Sequence, residues 1–292
     1  MNDTNHKVVR PLAFEREILI GIGATLTLML YAVLRYPASV EQGGLLSFLV
    51  SLVALLAYAG VALWFRRSVA HSLKIALEQG ARVGLLLGIA AILNISLEDF
   101  ITFSTPVRAS LGVSMWGLMF LLFGIAGSAT YQRVGSLRLA ALSSVWSALV
   151  STVTMVVYGF SIGLLFMSHL QRTLQGAYSQ SGMTDPQGFV IQTTLSAASM
   201  HLLLTPFLAA VFGFFGGLLS ARLRSHSRRA AVALAIGVLL LLGGGVMSIR
   251  FASSLRRSDR PPFILAGLLA LGVSLASAHP VFGAVRRPTV KG

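Results

Sequence analysis

The sequence predicts an all-α fold: a polytopic integral membrane helical bundle of about eight transmembrane helices, with no soluble domain. Three observations predict it. Of the 292 residues 55% are hydrophobic and only 11% charged, and the mean hydropathy is +0.80, where a soluble domain usually carries about 25% charged residues. Apolar stretches of ~20 residues recur along the chain, each long enough as a helix to cross the ~30 Å hydrocarbon layer. The basic residues fall between these stretches and mostly on alternate loops, the distribution that membrane insertion imposes on Lys and Arg.

Residues 1–14 form a basic tail. The apolar stretches then follow at 15–34, 44–65, 82–103, 110–130, 139–168, 189–220, 230–249 and 262–284, and 285–292 is a second basic tail. Residues 15–284 therefore read as one transmembrane domain. The first stretch follows a basic segment, as the core of a signal peptide does. Arg35 interrupts its exit and no A-x-A site follows, so it reads as a retained anchor.

Between the second and third spans, Arg67, His71, Lys74 and Glu78 recur at helical spacing opposite Val69, Leu73, Ala76 and Leu77. This pattern predicts an amphipathic helix over 67–79, lying at the membrane interface. Residues 169–188 carry Gly176, Gly182, Asp185 and Pro186 among Ser, Gln and Thr, and read as an external loop.

Sorting the cations by loop puts Lys7, Arg10, Arg16, Arg66, Arg67, Lys74, Arg82, Arg133, Arg138, Arg222, Arg224, Arg228, Arg229, Arg286, Arg287 and Lys291 on one side. The other side holds Arg35, Arg108, Arg172, Arg250, Arg256, Arg257 and Arg260. This asymmetry predicts cytoplasmic termini in a bacterial inner (cytoplasmic) membrane, with the Arg250–Arg260 loop as the exception to the pattern.

Composition also excludes chemistries. The net charge of +14 would suggest nucleic acid in a soluble protein, but cations distributed between spans signal orientation, so no nucleic-acid partner is expected. With no cysteine, disulfides, thiolate metal sites and iron–sulfur clusters are excluded. No H-E-x-x-H, P-loop or dinucleotide glycine motif occurs. Met167-Ser168-His169 and Met200-His201 read as packing rather than as a soft-metal site. No cofactor and no metal are expected. The expected partners are the bilayer and either other membrane proteins or further copies of the chain.

The most regular polar pattern lies in the fifth span. Ser144, Ser147, Ser151, Thr154, Tyr158 and Ser161 follow one another at steps of three and four, which places all six on one helical face. Such a face serves either as a close-packed seam or as the wall of a hydrated path. In the third span, Gly84, Gly88, Ala91, Asn94 and Glu98 share a face, and Glu98 and Asp99 precede Phe100, Ile101 and Phe103. A carboxylate at membrane depth is costly and marks a functional site where it occurs; the alternative ends the helix at Leu97 and leaves Glu98 and Asp99 as solvated mouth residues.

In the sixth span, Thr194, Ala198, His201, Thr205, Ala209, Gly213 and Gly217 fall close to one face, and Pro206 removes a backbone donor directly after Thr205. His201 is placed near mid-membrane, where the imidazole reads first as neutral and bonded to a serine or a backbone carbonyl, and alternatively as a proton relay or a substrate contact. Gly84/Gly88, Gly159/Gly163 and Gly213/Gly217 have GxxxG spacing, which permits close helix crossing.

Gly159-Phe160-Ser161-Ile162-Gly163 matches G-x-S-x-G, and with His201 or His279 as base it resembles, over five residues, the serine–histidine arrangement of rhomboid-type intramembrane proteases. The glycines expected after the helical histidine are absent, and the motif falls in a continuous apolar run where hydrolases place a strained turn.

The leading functional reading is a permease-like protein that moves a small solute or ion along a polar path between spans three, five and six. The path residues are Asn94, Glu98, Asp99, Ser147, Ser151, Thr154, Tyr158, His201 and Thr205. The competing reading is a non-transporting scaffold or accessory subunit of a membrane complex, and an intramembrane serine hydrolase is the minor alternative. Because the chain has no native cysteine, its topology is directly testable. Single cysteines at Asn2 and Ser181 are expected to label from opposite sides of sealed cells, and equal external labelling of both overturns the assignment.

Overall fold

In the computed structural model, which describes residues 13–67, 70–101, 103 and 105–222, seven helices follow one another: α1 (Ala13–Arg35), α2 (Leu45–Arg67), α3 (His71–Phe100), α4 (Thr105–Val134), α5 (Leu137–Leu165), α6 (Met167–Ser181) and α7 (Pro186–Arg222). All but α6 are long and apolar enough to cross a membrane. They coincide with the first six apolar stretches of the sequence. The stretches expected at 230–249 and 262–284, the Arg250–Arg260 loop and both terminal tails lie outside the described residues, so six of the eight expected spans are described.

The connections are short and have identifiable causes. Gly135 takes φ +71° between α4 and α5, a left-handed conformation open to glycine, and Ser136 then caps α5 by accepting from the Leu139 amide. Between α1 and α2 the chain makes a kinked turn over Val40–Gly44, with Gly43 at φ +123°. Gln42 clasps the far loop from this turn: its Nε2 donates to Thr184 Oγ1 at 2.9 Å, and its Oε1 accepts from the Thr184 amide at 3.0 Å.

Two expectations are corrected. Residues 71–79 are the opening turns of α3 rather than a separate interfacial helix over 67–79. No proline interrupts the ladder, and Gly80 is retained because it packs against the backbone of Ser143 on α5. At ~1.5 Å per residue α3 is ~45 Å long, longer than the hydrocarbon layer. Its first turns carry the Arg82–Glu78 pair at 2.5 Å on the exposed face and bury Ala76 and Leu77 on the other.

The segment expected as a loop over 169–188 is largely α6. Gly182, at φ +73°, ends α6, and Asp185 and Pro186 start α7, with Asp185 Oδ1 accepting from the Gln187 amide at 2.9 Å. The residues that read as loop punctuation are helix caps.

The six long helices alternate in direction. Parallel pairing of α3 with α5 follows from Gly80 on Ser143, Gly84 on Ser147 and Gly88 on Thr154. Trp116 with His201 and Phe120 with Phe212 run α4 parallel to α7, while Gly163 with Thr194 and Ser144 with Gly213 run α5 antiparallel to α7. At one end of the bundle lie the α1–α2 turn, the α3–α4 connection and α6. At the other lie the α2–α3 and α4–α5 connections and Arg222.

The most enclosed of the six long helices is α5, which touches α1, α3, α4, α6 and α7. Its Trp146 and Phe160 are fully buried. Three seams bring backbones together around it. A Cβ at Gly84 would lie 2.6 Å from the Ser147 carbonyl oxygen and 2.7 Å from Val150 Cβ. One at Gly127 would meet the backbone of Gly213, and one at Gly216 the backbone of Gly124. Gly213 itself faces Ser144 and the Ala140 carbonyl of α5, and Gly217 faces Ala140 and Leu137.

Overpacking a close contact costs about 1–3 kcal/mol. Gly84→Ala and Gly127→Ala are therefore expected to lower the thermal midpoint of the detergent-purified protein. Gly23→Ala and Gly60→Ala, where a Cβ meets nothing within 4 Å, are expected to leave it unchanged or raise it. Equal effects at all four positions would show that the seams are not tight.

Candidate functional site

The hydroxyl face of α5 is enclosed. Ser144, Ser147 and Ser151 are buried, Thr154, Tyr158 and Ser161 are half-buried, and none of the six is exposed. Most of these hydroxyls bond carbonyls of their own helix. Ser151 Oγ donates to the Ala148 carbonyl at 3.1 Å, Thr154 Oγ1 to Val150 at 2.9 Å and Ser161 Oγ to Val157 at 2.8 Å. Ser144 Oγ reaches across to α4, donating to the Phe123 carbonyl at 2.8 Å. Ser147 is packed against Gly84, and its Oγ has no hydrogen-bond partner among the described residues.

The path residues do not converge on one place. Asn94 Nδ2 donates to Glu98 Oε1 at 2.9 Å along the same face of α3. Tyr158 pairs with Ser96 Oγ in a short hydrogen bond between α5 and α3. The Asp99 backbone carbonyl lies 2.8 Å from His169 Nε2, and the His169 ring stacks on Phe100 at 5.1 Å between centroids. Phe166 meets Phe100 edge-on at 5.0 Å. Asn94, Ser96, Glu98, Asp99, Tyr158 and His169 thus gather at the end of the bundle where α6 lies. Glu98 and Asp99 are half-buried.

His201 is elsewhere. Its ring stacks on Trp116 of α4 at 5.3 Å and 12°, at one end of an aromatic row that continues through Phe120 and Phe212. The face of α7 that bears His201 meets both neighbours: His201 itself stacks on Trp116 of α4, while Thr194 and Gly213 meet α5. Thr205 is fully buried, without a hydrogen-bond partner for Oγ1 among the described residues. The G-x-S-x-G motif lies within the unbroken helix α5, so Ser161 sits on no strained turn, and its hydroxyl bonds the Val157 carbonyl.

A cleft between α3, α4 and α5 is lined by Leu87, Ala91, Met115, Met119, Ser151, Thr152 and Met155. Its lining is mostly apolar. Asn94 and Glu98 extend the same face of α3 by one and two turns beyond Ala91. No group of three or more His, Cys, Asp or Glu able to hold a metal ion occurs among the described residues.

Several participants were not legible beforehand. Ser96 reads as part of an accidental Asn94-Ile95-Ser96 sequon, and its distance from the α5 stripe hides its bond to Tyr158. Tyr58 of α2 carries no motif at all. It is buried, and its hydroxyl donates to the Leu202 carbonyl of α7 in a short hydrogen bond. The one available signal was Pro206: having no N–H, it leaves the carbonyl four residues earlier without its helical donor, and that carbonyl belongs to Leu202.

Compared with protein-family models, with curated proteins and with solved structures, the chain gives no match. The site is therefore read from its own chemistry.

Interhelical polar pairs in membrane bundles contribute ~0.6 kcal/mol on average. A double-mutant cycle of Ser96→Ala with Tyr158→Phe is expected to return a coupling of about that size in unfolding measurements. Strict additivity would show that the pair does not tie α3 to α5.

Proposed function

We propose that this chain is a multi-pass membrane protein that serves as a non-transporting scaffold or accessory subunit of a membrane complex. The observation that carries this reading is the closure of the α5 hydroxyl face. Along α3 and α5 the backbones stand so close that Gly80 and Gly84 have no room for a Cβ. Of the hydroxyls expected along a path, those of Ser151 and Thr154 bond carbonyls of their own helix, that of Tyr158 bonds Ser96, and Ser147 packs against Gly84. Polar residues used this way are seam residues.

The permease reading, with solute passing between α3, α5 and α7, retains one specific support: the cleft beside Ser151 and Thr152, with Asn94 and Glu98 above it on α3. Its mostly apolar lining favours packing over conduction.

For localisation we propose the cytoplasmic membrane with both termini cytoplasmic. Arg66, Lys74, Arg82, Arg133, Arg138 and Arg222 stand at one end of the bundle, and Arg35, Arg108 and Arg172 at the other. This distribution accords with the Lys/Arg asymmetry of inserted proteins.

The test is reconstitution. Liposomes holding the full-length protein are expected to match empty liposomes in flux of small cations, anions, amino acids and sugars. In mild detergent the native protein is expected to migrate as a discrete assembly larger than itself. Saturable flux of any of these solutes that is abolished by Ser151→Trp would replace the scaffold reading with the permease.

A further inference from the structure

Pro206 stands near the middle of the 37-residue helix α7, and the contacts on its two sides differ in kind. Before Pro206, α7 is joined to α2 and the α1–α2 turn. The joins are the Gln42–Thr184 clasp, Gln192 against Gly43 and Gly44, the Ser47–Ser196 hydroxyl pair at 3.4 Å and the Tyr58–Leu202 bond. After Pro206, α7 is locked by glycine to α4 and α5: Gly213 on Gly127 and Ser144, Gly216 on Gly124, and Gly217 on Ala140.

The remaining contacts of the first half run through side chains and not through backbones: Ile191, Leu195 and Leu202 are buried in the same apolar core as Val156 and Phe160 of α5. Thr194 meets Gly159 and Gly163 of α5 at 4.0 and 3.6 Å from where a Cβ would stand, which is ordinary van der Waals spacing. His201 meets Trp116 through a ring stack, a contact that tolerates sliding. Proline weakens a helix at the turn before it by removing one ladder bond. Here the carbonyl so freed, that of Leu202, is the one that accepts from Tyr58.

We propose that Pro206 is a hinge in α7 and Tyr58 the pin that holds it: α2 and the first half of α7 form one body, able to swing against a fixed block of α3, α4, α5 and the second half of α7. The Tyr58 hydroxyl takes the place of the missing backbone donor. It holds the hinge in the observed position and couples the bend of α7 to the position of α2. Hinges of this kind use a few residues to absorb a large change while the packed bodies on either side stay intact. The device is independent of whether the protein conducts or scaffolds, since neither the clasp nor the seam uses the cleft.

The experiment measures distances between spin labels on introduced cysteines in the full-length protein in lipid nanodiscs. One pair reports across the hinge, at Leu46 of α2 and Val113 of α4. The other reports within the block, at Leu93 of α3 and Val113. All three positions are exposed. Tyr58→Phe is expected to widen the Leu46–Val113 distribution about twofold and to leave the Leu93–Val113 distribution unchanged. Pro206→Ala restores a helical donor to Leu202 and is expected to narrow the first distribution, alone and in the Tyr58→Phe background. A Tyr58→Phe protein that folds with both distributions unchanged, or with both widened alike, overturns the proposal. If Tyr58→Phe does not fold, Pro206→Ala decides alone: no narrowing overturns it.

Discussion

The bundle depends on helix backbones coming into direct contact at α5 and at the α4–α7 crossing beside it. In lipid there is no gain from burying one apolar side chain against another, because the acyl chains are equally apolar; association rests on packing and on polar contacts between helices. Glycine is the residue that permits it. Gly80, Gly84 and Gly88 let α3 lie against α5, and Gly124, Gly127, Gly213 and Gly216 let α4 lie against α7. Ser144 stands where α4, α5 and α7 meet, its side chain against Gly213 and its hydroxyl on the Phe123 carbonyl. A larger residue at either position would separate all three helices.

That closeness also decides what the α5 hydroxyls do. Within this enclosure Ser151 and Thr154 turn their donors to carbonyls one turn earlier in their own helix, and Ser144 turns its donor to α4. A face that is polar in sequence is enclosed in the fold. Beyond the glycine seams, toward the end that bears α6, longer groups take over: Tyr158 reaches Ser96, and His169 reaches the Asp99 carbonyl beside Phe100. These side-chain polar contacts between α3, α5 and α6 therefore gather at that end.

Pro206 answers the opposite need. A backbone carbonyl left without a donor inside the hydrocarbon costs several kcal/mol, and the neighbouring helix supplies the donor through the Tyr58 hydroxyl. The same residue that fills a polar vacancy thereby ties α2 to α7 at the point where α7 is weakest. The glycine seam begins seven residues later, at Gly213, so the helix passes from a side-chain-mediated contact to a backbone-mediated one across the proline.

The sequence by itself determined the all-helical class and the places of six helices apolar enough to cross a membrane, though not the early start of α3 at His71, because a span needs only length and apolarity, and both are local. It also determined that six hydroxyls share one face of α5, because helical periodicity is local too. It did not determine what each face meets. His201 falls on the face of α7 with Thr205 and Gly213, yet whether that face meets α4 or α5 depends on the rotation of α7 against its neighbours, which the glycines and Ser144 set jointly across three helices. Gly182, Asp185 and Pro186 read as a loop because caps and turns use the same residues; only the hydrogen bonds of α6 and α7 distinguish them. Tyr58 was invisible for the same reason: its role arises from a vacancy in another helix 144 positions away, and only tertiary packing brings a donor and an orphaned acceptor together over that separation.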